Sequence, residues 1–376
     1  MKRLVSVFTV LIIIIVSLPI TVSALDVSAK AAVVICGDTG EVLFSKNYNE
    51  RLPMASTTKI MTGLLLCEYG NLDREITVTA EMVRVEGSSM GLLVGDKVTL
   101  HDLLYGLMLA SGNDAANTIA IVVAGSIGDF AELMDRKAKE IGLKDTNFVT
   151  PSGLDDENHY TSAYDLAMLT KYAMQNEDFA KAVGSKSAVL NYGNPPYRRT
   201  LINHNKLLKS VDGCVGVKTG FTKKSGRCLV SAVKRDGKYV IAVTLNAPND
   251  WQDHKIMLEY GLSKIIQTKI IPKKSEYKIS VISGMLDSIT VKIEPFLLNS
   301  FESEGFSCEV YLPPYLFAPI ESGEVIGKAV YKRNDEVLAE REIISTKQIK
   351  LFTPKKKSYK NIFRNFFYIA QFILGD

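Results

Sequence analysis

A hydroxyl and an amine, Ser56 and Lys59, stand three residues apart where a strongly apolar segment begins. Residues 60–67 are apolar on nearly every face of a helix, so this helix must be buried inside a domain. Residues i and i+3 of a helix lie about 5–6 Å apart, so the two side chains can touch. Because burial lowers the pKa of an amine, a neutral Lys59 can accept the Ser56 proton. The alternative is a plain helix cap at Ser56.

The length of 376 residues, 47% of them hydrophobic, predicts more than one compact domain. We predict a catalytic domain over residues 25–268 and a smaller β-rich domain over 269–352, where short alternating segments replace the helical pattern. The net charge of +4 is small, and the basic residues that stand out are terminal. We therefore predict no nucleic-acid partner.

Both ends of the chain carry membrane-related patterns. Lys2 and Arg3 precede an apolar run and a small-residue cleavage site, so residues 1–24 predict a secretory signal peptide, with an uncleaved anchor as the alternative. Lysines 355–357 precede a stripe of apolar residues over 362–374. As a helix that stripe is about 20 Å long, shorter than a hydrocarbon core of ~30 Å. Residues 353–376 therefore predict an amphipathic helix on the outer face of the cytoplasmic membrane, unless it docks on the protein's own core.

Two further polar clusters interrupt the apolar pattern. Ser111 and Asn113 lie on a tight turn between apolar helices predicted over 101–110 and 114–124, where an ordinary turn is the alternative interpretation. Lys218, Thr219 and Gly220 precede a β-hairpin predicted over 227–246. There the lysine and threonine can bind an anion, and the glycine permits close approach of a ligand. Alone, Lys218 can equally be a surface charge.

The cysteines and histidines indicate neither a disulfide framework nor a metal site. The five cysteines have no C-x-x-C spacing, and Cys36 and Cys67 look like small buried apolar residues. Cys214 and Cys228 can in principle pair. The four histidines are scattered, which favours surface or hydrogen-bonded positions over metal ligation, so we predict no cofactor.

Together the three clusters resemble the penicillin-recognising serine enzymes, whose motifs are S-x-x-K, S-x-N and K-T-G. The flanking residues support the resemblance, which is closest to the low-molecular-mass penicillin-binding proteins of peptidase family S11, serine-type D-alanyl-D-alanine carboxypeptidases. It implies an α+β fold: an antiparallel sheet flanked by helices, followed by a small β-sandwich. It also implies removal of the terminal D-alanine from peptidoglycan stem peptides, and covalent inhibition by β-lactams.

The same resemblance implies a role for each motif residue. Ser56 is expected to be the nucleophile, Lys59 its base, and Ser111, hydrogen-bonded toward Lys59 and Lys218, a group that moves a proton to the leaving D-alanine.

For substrate binding, Asn113 is expected to hold an amide, and Lys218 and Thr219 the terminal carboxylate. The backbone N–H groups of Ser56 and Phe221, beside Gly220, are expected to form the oxyanion hole.

Two other functions remain open at the level of the sequence. A class A β-lactamase shares the three motifs, but that class usually has Asp at the middle of the second motif, where this chain has Gly112, and a Glu-bearing loop that is not evident here. A catalytically silent wall-binding protein is disfavoured because every reactive side chain is retained. Residues 195–199 and 246–251 are less familiar in the family, and we expect them to shape the rim of the cleft.

Overall fold

The structure, a computed structural model, describes residues 25–301 and 304–353. These residues form two compact units: the first runs to Gln267 and includes 299–301, and the second contains 268–298 and 304–353. The predicted signal peptide (1–24) and all but the first residue of the predicted anchor (353–376) lie outside the described residues. Among the described residues, no single helix is long and apolar enough to cross a bilayer; one bent pair, Asn113–Ala124 with Ile127–Ile141, passes by length and composition only.

The described part of the first unit contains nine strands and eight α-helices. The strands are β1 (Ala31–Cys36), β2 (Val42–Lys46), β3 (Glu75–Thr77), β4 (Lys97–Thr99), β5 (Ser187–Gly193), β6 (Pro196–Ile202), β7 (Cys214–Thr222), β8 (Gly226–Arg235) and β9 (Lys238–Leu245). The α-helices are α1 (Lys59–Tyr69), α2 (Leu100–Leu109), α3 (Asn113–Ala124), α4 (Ile127–Ile141), α5 (Ala163–Ala173), α6 (Glu177–Gly184), α7 (Leu207–Ser210) and α8 (Asp250–Lys264).

A five-stranded antiparallel sheet in the order β2-β1-β9-β8-β7 lies at the centre of this unit. Side chains alternate across a strand, so β1 contributes to two different cores. Val33 and Ile35 belong to a large core shared with α1 to α6, whereas Val34 and Cys36 belong to a smaller core with α8. The sheet is thus covered by helices on both faces, which confirms the predicted antiparallel sheet flanked by helices.

Helix α1 is the buried helix that the sequence predicts. Nine of its residues, from Lys59 to Cys67, are buried. The helices predicted over 101–110 and 114–124 are confirmed as α2 and α3, and Ser162 caps α5 by accepting a hydrogen bond from the backbone N–H of Asp165 at 3.0 Å. The hairpin predicted over 227–246 is confirmed as β8 and β9, which pair up to Arg235 and Lys238.

Two elements of the predicted rim have more regular structure than the sequence indicated. Residues 195–199 belong to a β-hairpin in which β5 pairs with β6, and Arg199 of this hairpin donates a 2.7 Å hydrogen bond to the carbonyl of Gly91. The segment 246–251 ends inside the first turn of α8, which begins at Asp250. Proline pairs and short polar stretches concealed both elements from pattern reasoning.

The second unit is built from short strands around one apolar core. Antiparallel β11 (Glu276–Ile282) and β12 (Ser288–Lys292) form a sheet with β15 (Tyr315–Phe317), while β14 (Phe306–Tyr311), β16 (Val325–Arg333) and β17 (Glu336–Ile344) form another. Residues of both sheets, including Ile279, Val291, Tyr331 and Ile343, share the same buried cluster, as expected for a β-sandwich. Two further strands, β10 (Ile266–Ile270) and β13 (Phe296–Ser300), pair with each other, and each has two residues that belong to the first unit.

Candidate active site

Ser56 lies in a short 3₁₀ turn, Ala55–Thr58, that leads directly into α1. The sequence predicted that an α-helix begins at Ser56, whereas α1 begins three residues later, at Lys59. Ala55 has a positive φ of 47°, and the Thr57 and Thr58 hydroxyls donate to the carbonyls of Met54 and Ala55 at 2.6 and 2.8 Å. These local bonds fix the entry into the helix and so hold Ser56 in place.

Lys59 is completely buried, and its amine contacts three oxygen atoms. Its Nζ lies 2.9 Å from Ser56 Oγ, 2.7 Å from Asn113 Oδ1 and 2.6 Å from the carbonyl oxygen of Ser152. Burial lowers the pKa of this amine well below its ordinary value, and the nearby charge of Lys218 lowers it further. The predicted contact between Ser56 and Lys59 is present.

The second motif forms the turn between α2 and α3. Ser111 has a positive φ of 57°, and its Oγ accepts a 3.0 Å hydrogen bond from Lys218 Nζ. Asn113 begins α3, and its Nδ2 donates to the carbonyl of Glu86 at 2.6 Å. Among the described residues Lys59 has no hydrogen bond to Ser111, in contrast to the bond we expected there. Asn113 instead is the residue that joins Lys59 to the second motif.

Asp114, which the sequence did not single out, fixes the loop that faces this turn. Its buried carboxylate accepts hydrogen bonds from Ser89 Oγ and from the backbone N–H groups of Met90, Gly91 and Leu92, at 2.6 to 3.0 Å. A buried carboxylate is stable only when such donors satisfy it. The loop over residues 88–92 is therefore held against the start of α3, beside Ser111.

Strand β7 supplies the third motif at the edge of the central sheet. Lys218 is buried, and its Nζ also donates to the carbonyl of Thr219 at 2.9 Å. Burial lowers the pKa of Lys218 to about 7. Gly220 faces the Ser56 turn so closely that a Cβ atom there would lie 3.0 Å from Ser56 N and 3.1 Å from Thr57 N. This glycine lets the strand approach the backbone of Ser56, and the close approach of a ligand at Gly220 stays a prediction.

A second loop, around Ser152, closes the opposite side of Lys59. Gly153 has a φ of 83°, and a Cβ atom there would lie 1.9 Å from the carbonyl oxygen of Ala55, so only glycine fits. His159 lies beneath, with Nε2 at 2.7 Å from Thr58 Oγ1 while its Nδ1 accepts from the N–H of Val149 at 2.9 Å. Burial lowers the pKa of His159 to about 4, so it is neutral and supports the Ser56 turn. Its sequence position had indicated only a surface or hydrogen-bonded residue.

The three motifs open into one cleft of about 290 Å³. Sequence reasoning missed several residues of its wall. Arg227 stands opposite Phe221 in the β7–β8 register, and its Nε donates to buried Asp250 at 2.9 Å. Pairing the strand of the third motif with the first strand of the predicted hairpin was the signal that could have found it. The cleft is lined by Ser56, Ser88, Ser111, His204, Thr219, Gly220, Phe221, Arg227, Asp250 and Trp251.

The cysteines next to the third motif are free thiols. Cys214 lies opposite Val233 and Cys228 lies opposite Gly220, so the two cysteines are at different positions along the β7–β8 pair. They are not joined by a disulfide bond. Burial raises the pKa of the Cys228 thiol to about 11. The pairing that the sequence left open is absent, and Cys228 is held as a neutral buried side chain.

Comparison with known proteins identifies the family. The family model of peptidase S11, described as D-alanyl-D-alanine carboxypeptidase, matches residues 19–249. This chain belongs to the S11 carboxypeptidase family. The D-alanyl-D-alanine carboxypeptidase DacF of Bacillus subtilis is 35% identical over 344 residues, covering 87% of both chains. The D-alanyl-D-alanine carboxypeptidase DacC of Escherichia coli is 31% identical over 352 residues, 86% of this chain and 85% of that protein.

Solved structures share the fold as well. The Streptomyces K15 DD-transpeptidase is 32% identical with a TM-score of 0.62, and the match covers 64% of this chain and all of the other. The D-alanyl-D-alanine carboxypeptidase DacD of Francisella tularensis is 26% identical with a TM-score of 0.64, over 89% of this chain and 97% of the other. The predicted penicillin-recognising fold and the serine carboxypeptidase class are thereby confirmed. The individual roles of the motif residues stay predictions.

Proposed function

We propose that this S11 enzyme cleaves the terminal D-alanine from peptidoglycan stem peptides through an acyl-enzyme on Ser56. The hydrogen bonds of Lys59 carry the proposal. Two of its three partners, Asn113 Oδ1 and the Ser152 carbonyl, can only accept a hydrogen bond. A neutral amine has two hydrogens and one lone pair, so both hydrogens go to these acceptors. The lone pair then points at Ser56 Oγ, 2.9 Å away, as a general base requires.

Acylation follows from this arrangement. Lys59 takes the Ser56 proton as Oγ attacks the carbonyl carbon of the penultimate D-alanine. The tetrahedral oxyanion is stabilised by the backbone N–H groups of Ser56 and Phe221, and each such donor contributes about 3–4 kcal/mol to transition-state binding. The absent side chain of Gly220 leaves room for that oxygen beside Ser56 N.

Departure of D-alanine and hydrolysis complete the cycle. The peptide C–N bond breaks, and the proton that Lys59 took from Ser56 passes to the leaving amine with the help of Ser111, whose Oγ is hydrogen-bonded to Lys218. Lys59 is then neutral again. Water then attacks the ester, with Lys59 again accepting a proton, and the shortened peptide leaves while Ser56 regains its hydrogen. Asn113 contributes chiefly by orienting Lys59, because its oxygen and one amide hydrogen are already bonded within the protein.

The substrate's terminal carboxylate is expected at the cationic wall of the cleft. Lys218 has a pKa near 7, and an anion beside it favours the charged form. Thr219 lines the same cleft and offers a hydroxyl. Arg227 uses Nε for Asp250 and keeps a half-exposed guanidinium at the cleft wall as a further carboxylate ligand. A β-lactam, which carries a carboxylate and a reactive amide, would occupy the same positions and acylate Ser56.

Location follows from the predicted termini. A cleaved signal peptide over 1–24 and an amphipathic anchor over 353–376 would place the enzyme on the extracytoplasmic face of the bacterial cytoplasmic membrane. The substrate is present on that side. The second unit is proposed to act as a spacer or docking domain for the catalytic unit.

One assay tests the proposed activity. The mature chain, residues 25–376, is incubated with a diacyl-Lys-D-Ala-D-Ala peptide, and released D-alanine is measured. We expect release by the wild type and none by Ser56→Ala, with Ser210→Ala as a matched surface control that keeps full activity. The wild type and the control should also be labelled covalently by fluorescent penicillin. No release and no labelling by the wild type would refute the proposal, and rapid multiple turnover of nitrocefin would favour a β-lactamase.

A further inference from the structure

The second unit carries an exposed apolar surface that its own core does not use. We call it the apolar tip, and it consists of Ile282, Met285, Leu286, Phe317, Leu351 and Phe352. Met285 is 62% exposed, Phe317 65% and Phe352 57%. Single exposed apolar residues are ordinary, but a contiguous group marks an interaction surface.

Backbone pairing shows that the tip is one continuous surface. Ile282 stands opposite Phe317 where β11 and β15 run parallel, and the N–H of Ala318 donates to the Ile282 carbonyl at 3.0 Å. Leu351 pairs with Gly284 in an isolated bridge. Three chain segments therefore lie side by side, and their exposed side chains are neighbours.

The turn that carries Met285 and Leu286 is fixed to the last described segment. The N–H of Met285 donates to the Lys350 carbonyl at 2.9 Å, and the N–H of Phe352 donates to the Ser283 carbonyl at 2.7 Å. Val281, which is next to Ile282, and Ile349, which precedes Leu351 by two residues, are buried in the core of the unit. The apolar side chains of the tip are thus held outward by a hydrogen-bonded framework and cannot collapse inward.

The end of the described chain indicates what the tip meets. The chain reaches its last described residue, Thr353, directly after Leu351 and Phe352 of the tip. The next residues include Lys355, Lys356 and Lys357. Exposed apolar side chains joined to a run of lysines match a bilayer surface, where acyl chains accept the former and anionic head groups attract the latter.

We propose that the apolar tip inserts into the interface of an anionic phospholipid bilayer and makes the second unit a membrane-binding module in its own right. The proposal rests on the extracytoplasmic membrane location given under the proposed function. It adds a contact point that belongs to the folded β-rich unit and not to the amphipathic tail. Two contacts, the tip and the tail, hold a protein on a membrane more firmly than either one.

Vesicle binding of the mature chain tests the tip. The probe is a vesicle of phosphatidylglycerol and phosphatidylethanolamine, and partitioning is measured by co-sedimentation. Joint substitution of Met285, Leu286 and Phe317 by Ser should weaken partitioning by at least about tenfold, because three large apolar side chains no longer leave water. The matched control replaces Val325, Val337 and Ile344, exposed apolar residues of the same unit outside the tip, by Ser, and should bind like the wild type.

A second measurement reports insertion directly. The chain contains one tryptophan, Trp251, which lines the catalytic cleft. In Leu286→Trp, brominated lipids should quench an added fluorescence component that the wild type lacks. Partitioning of the triple variant within twofold of the wild type, or no added quenching, would overturn the proposal.

Two other occupants of the apolar tip, the C-terminal residues of the same chain and a second copy of the chain, predict different results in these experiments. Either result would overturn the proposal. If residues 359–374 of the same chain cover the tip, the triple variant releases them, so vesicle binding stays equal or rises and the added tryptophan is not quenched. If a second copy covers it, sedimentation without lipid shows a wild-type dimer that the variant converts to monomer. The wild type and all these variants should release D-alanine from the soluble peptide at equal rates. If none of them releases D-alanine, the enzyme assignment is wrong, and the vesicle experiment still tests the tip.

Discussion

The amine of Lys218 lies 3.0 Å from the hydroxyl oxygen of Ser111, and both groups are buried. This bond joins the turn between α2 and α3 to the edge strand of the central sheet, 107 residues further along the chain. It couples the group proposed to protonate the leaving amine to the cation proposed to bind the substrate carboxylate. A change in Ser111 should therefore alter the titration of Lys218.

Ser111→Ala should lower kcat for D-alanine release by about 10²–10⁴-fold, the usual contribution of a proton-transfer group. It should also lower the pKa of Lys218, because the ammonium loses an acceptor that favours its charged form. The falling limb of the pH profile of kcat/KM would then move to lower pH. Ser185→Ala, which removes an exposed hydroxyl of the same unit, serves as the control, and an unchanged kcat in Ser111→Ala would contradict this role.

The activity of the wild type should depend on pH through both buried lysines. Lys59 acts as a base only when neutral, so kcat/KM rises as pH passes above its depressed pKa. Lys218 binds a carboxylate only when charged, so kcat/KM falls as pH rises through about 7 in the free enzyme. For a peptide with an amidated C-terminus the falling limb should disappear. A limb that persists with the amide would show that Lys218 is not the carboxylate ligand.

Gly220→Ala should slow acylation by fluorescent penicillin by about 10²-fold or more. The added methyl group would lie 3.0 Å from Ser56 N and 3.1 Å from Ala55 Cβ, so β7 must move away from Ser56. The thermal midpoint should change little, because β7 is an edge strand of the sheet. Gly128→Ala is the matched control, since a Cβ atom there meets nothing closer than Ser126 Oγ at 3.9 Å. Equal acylation rates for the two variants would refute this argument.

His254 should make the folded state sensitive to acid. It is fully buried between Ser231 and Thr244, and burial lowers its pKa from 6.5 to about 3. Between these values the unfolded chain binds the proton and the folded chain does not, so stability falls as pH drops from 6.5 toward 3. At 1.36 kcal/mol per pKa unit, the full loss is up to about 5 kcal/mol.

Chemical denaturation at a series of pH values measures that slope. His254→Gln should flatten it, because glutamine bonds to the same hydroxyls without titrating. His101→Gln, at a half-exposed histidine, should keep the wild-type slope. An equally steep loss of stability in His254→Gln would show that other groups cause the acid sensitivity.

Pattern reasoning succeeded where the determining contacts are local. The buried helix α1 and the hairpin of β8 and β9 follow from the spacing of apolar residues and from turn chemistry. Ser56 and Lys59 were expected to touch because they are three residues apart, and they do. The hairpin of β5 and β6 was missed because a pair of prolines at its turn masks the alternation of its strands.

The sequence by itself determined the reactive groups: a serine beside a lysine on a buried helix, with two further polar clusters and their likeness to one enzyme family. Only the tertiary structure decided how Lys59 is held, since its bonds to Asn113 and Ser152 span 54 and 93 residues. It likewise placed Arg227 in the cleft wall. The physical reason is that residue spacing fixes neighbours within a turn or a hairpin, whereas contacts between distant segments depend on how helices and sheet pack around their shared cores.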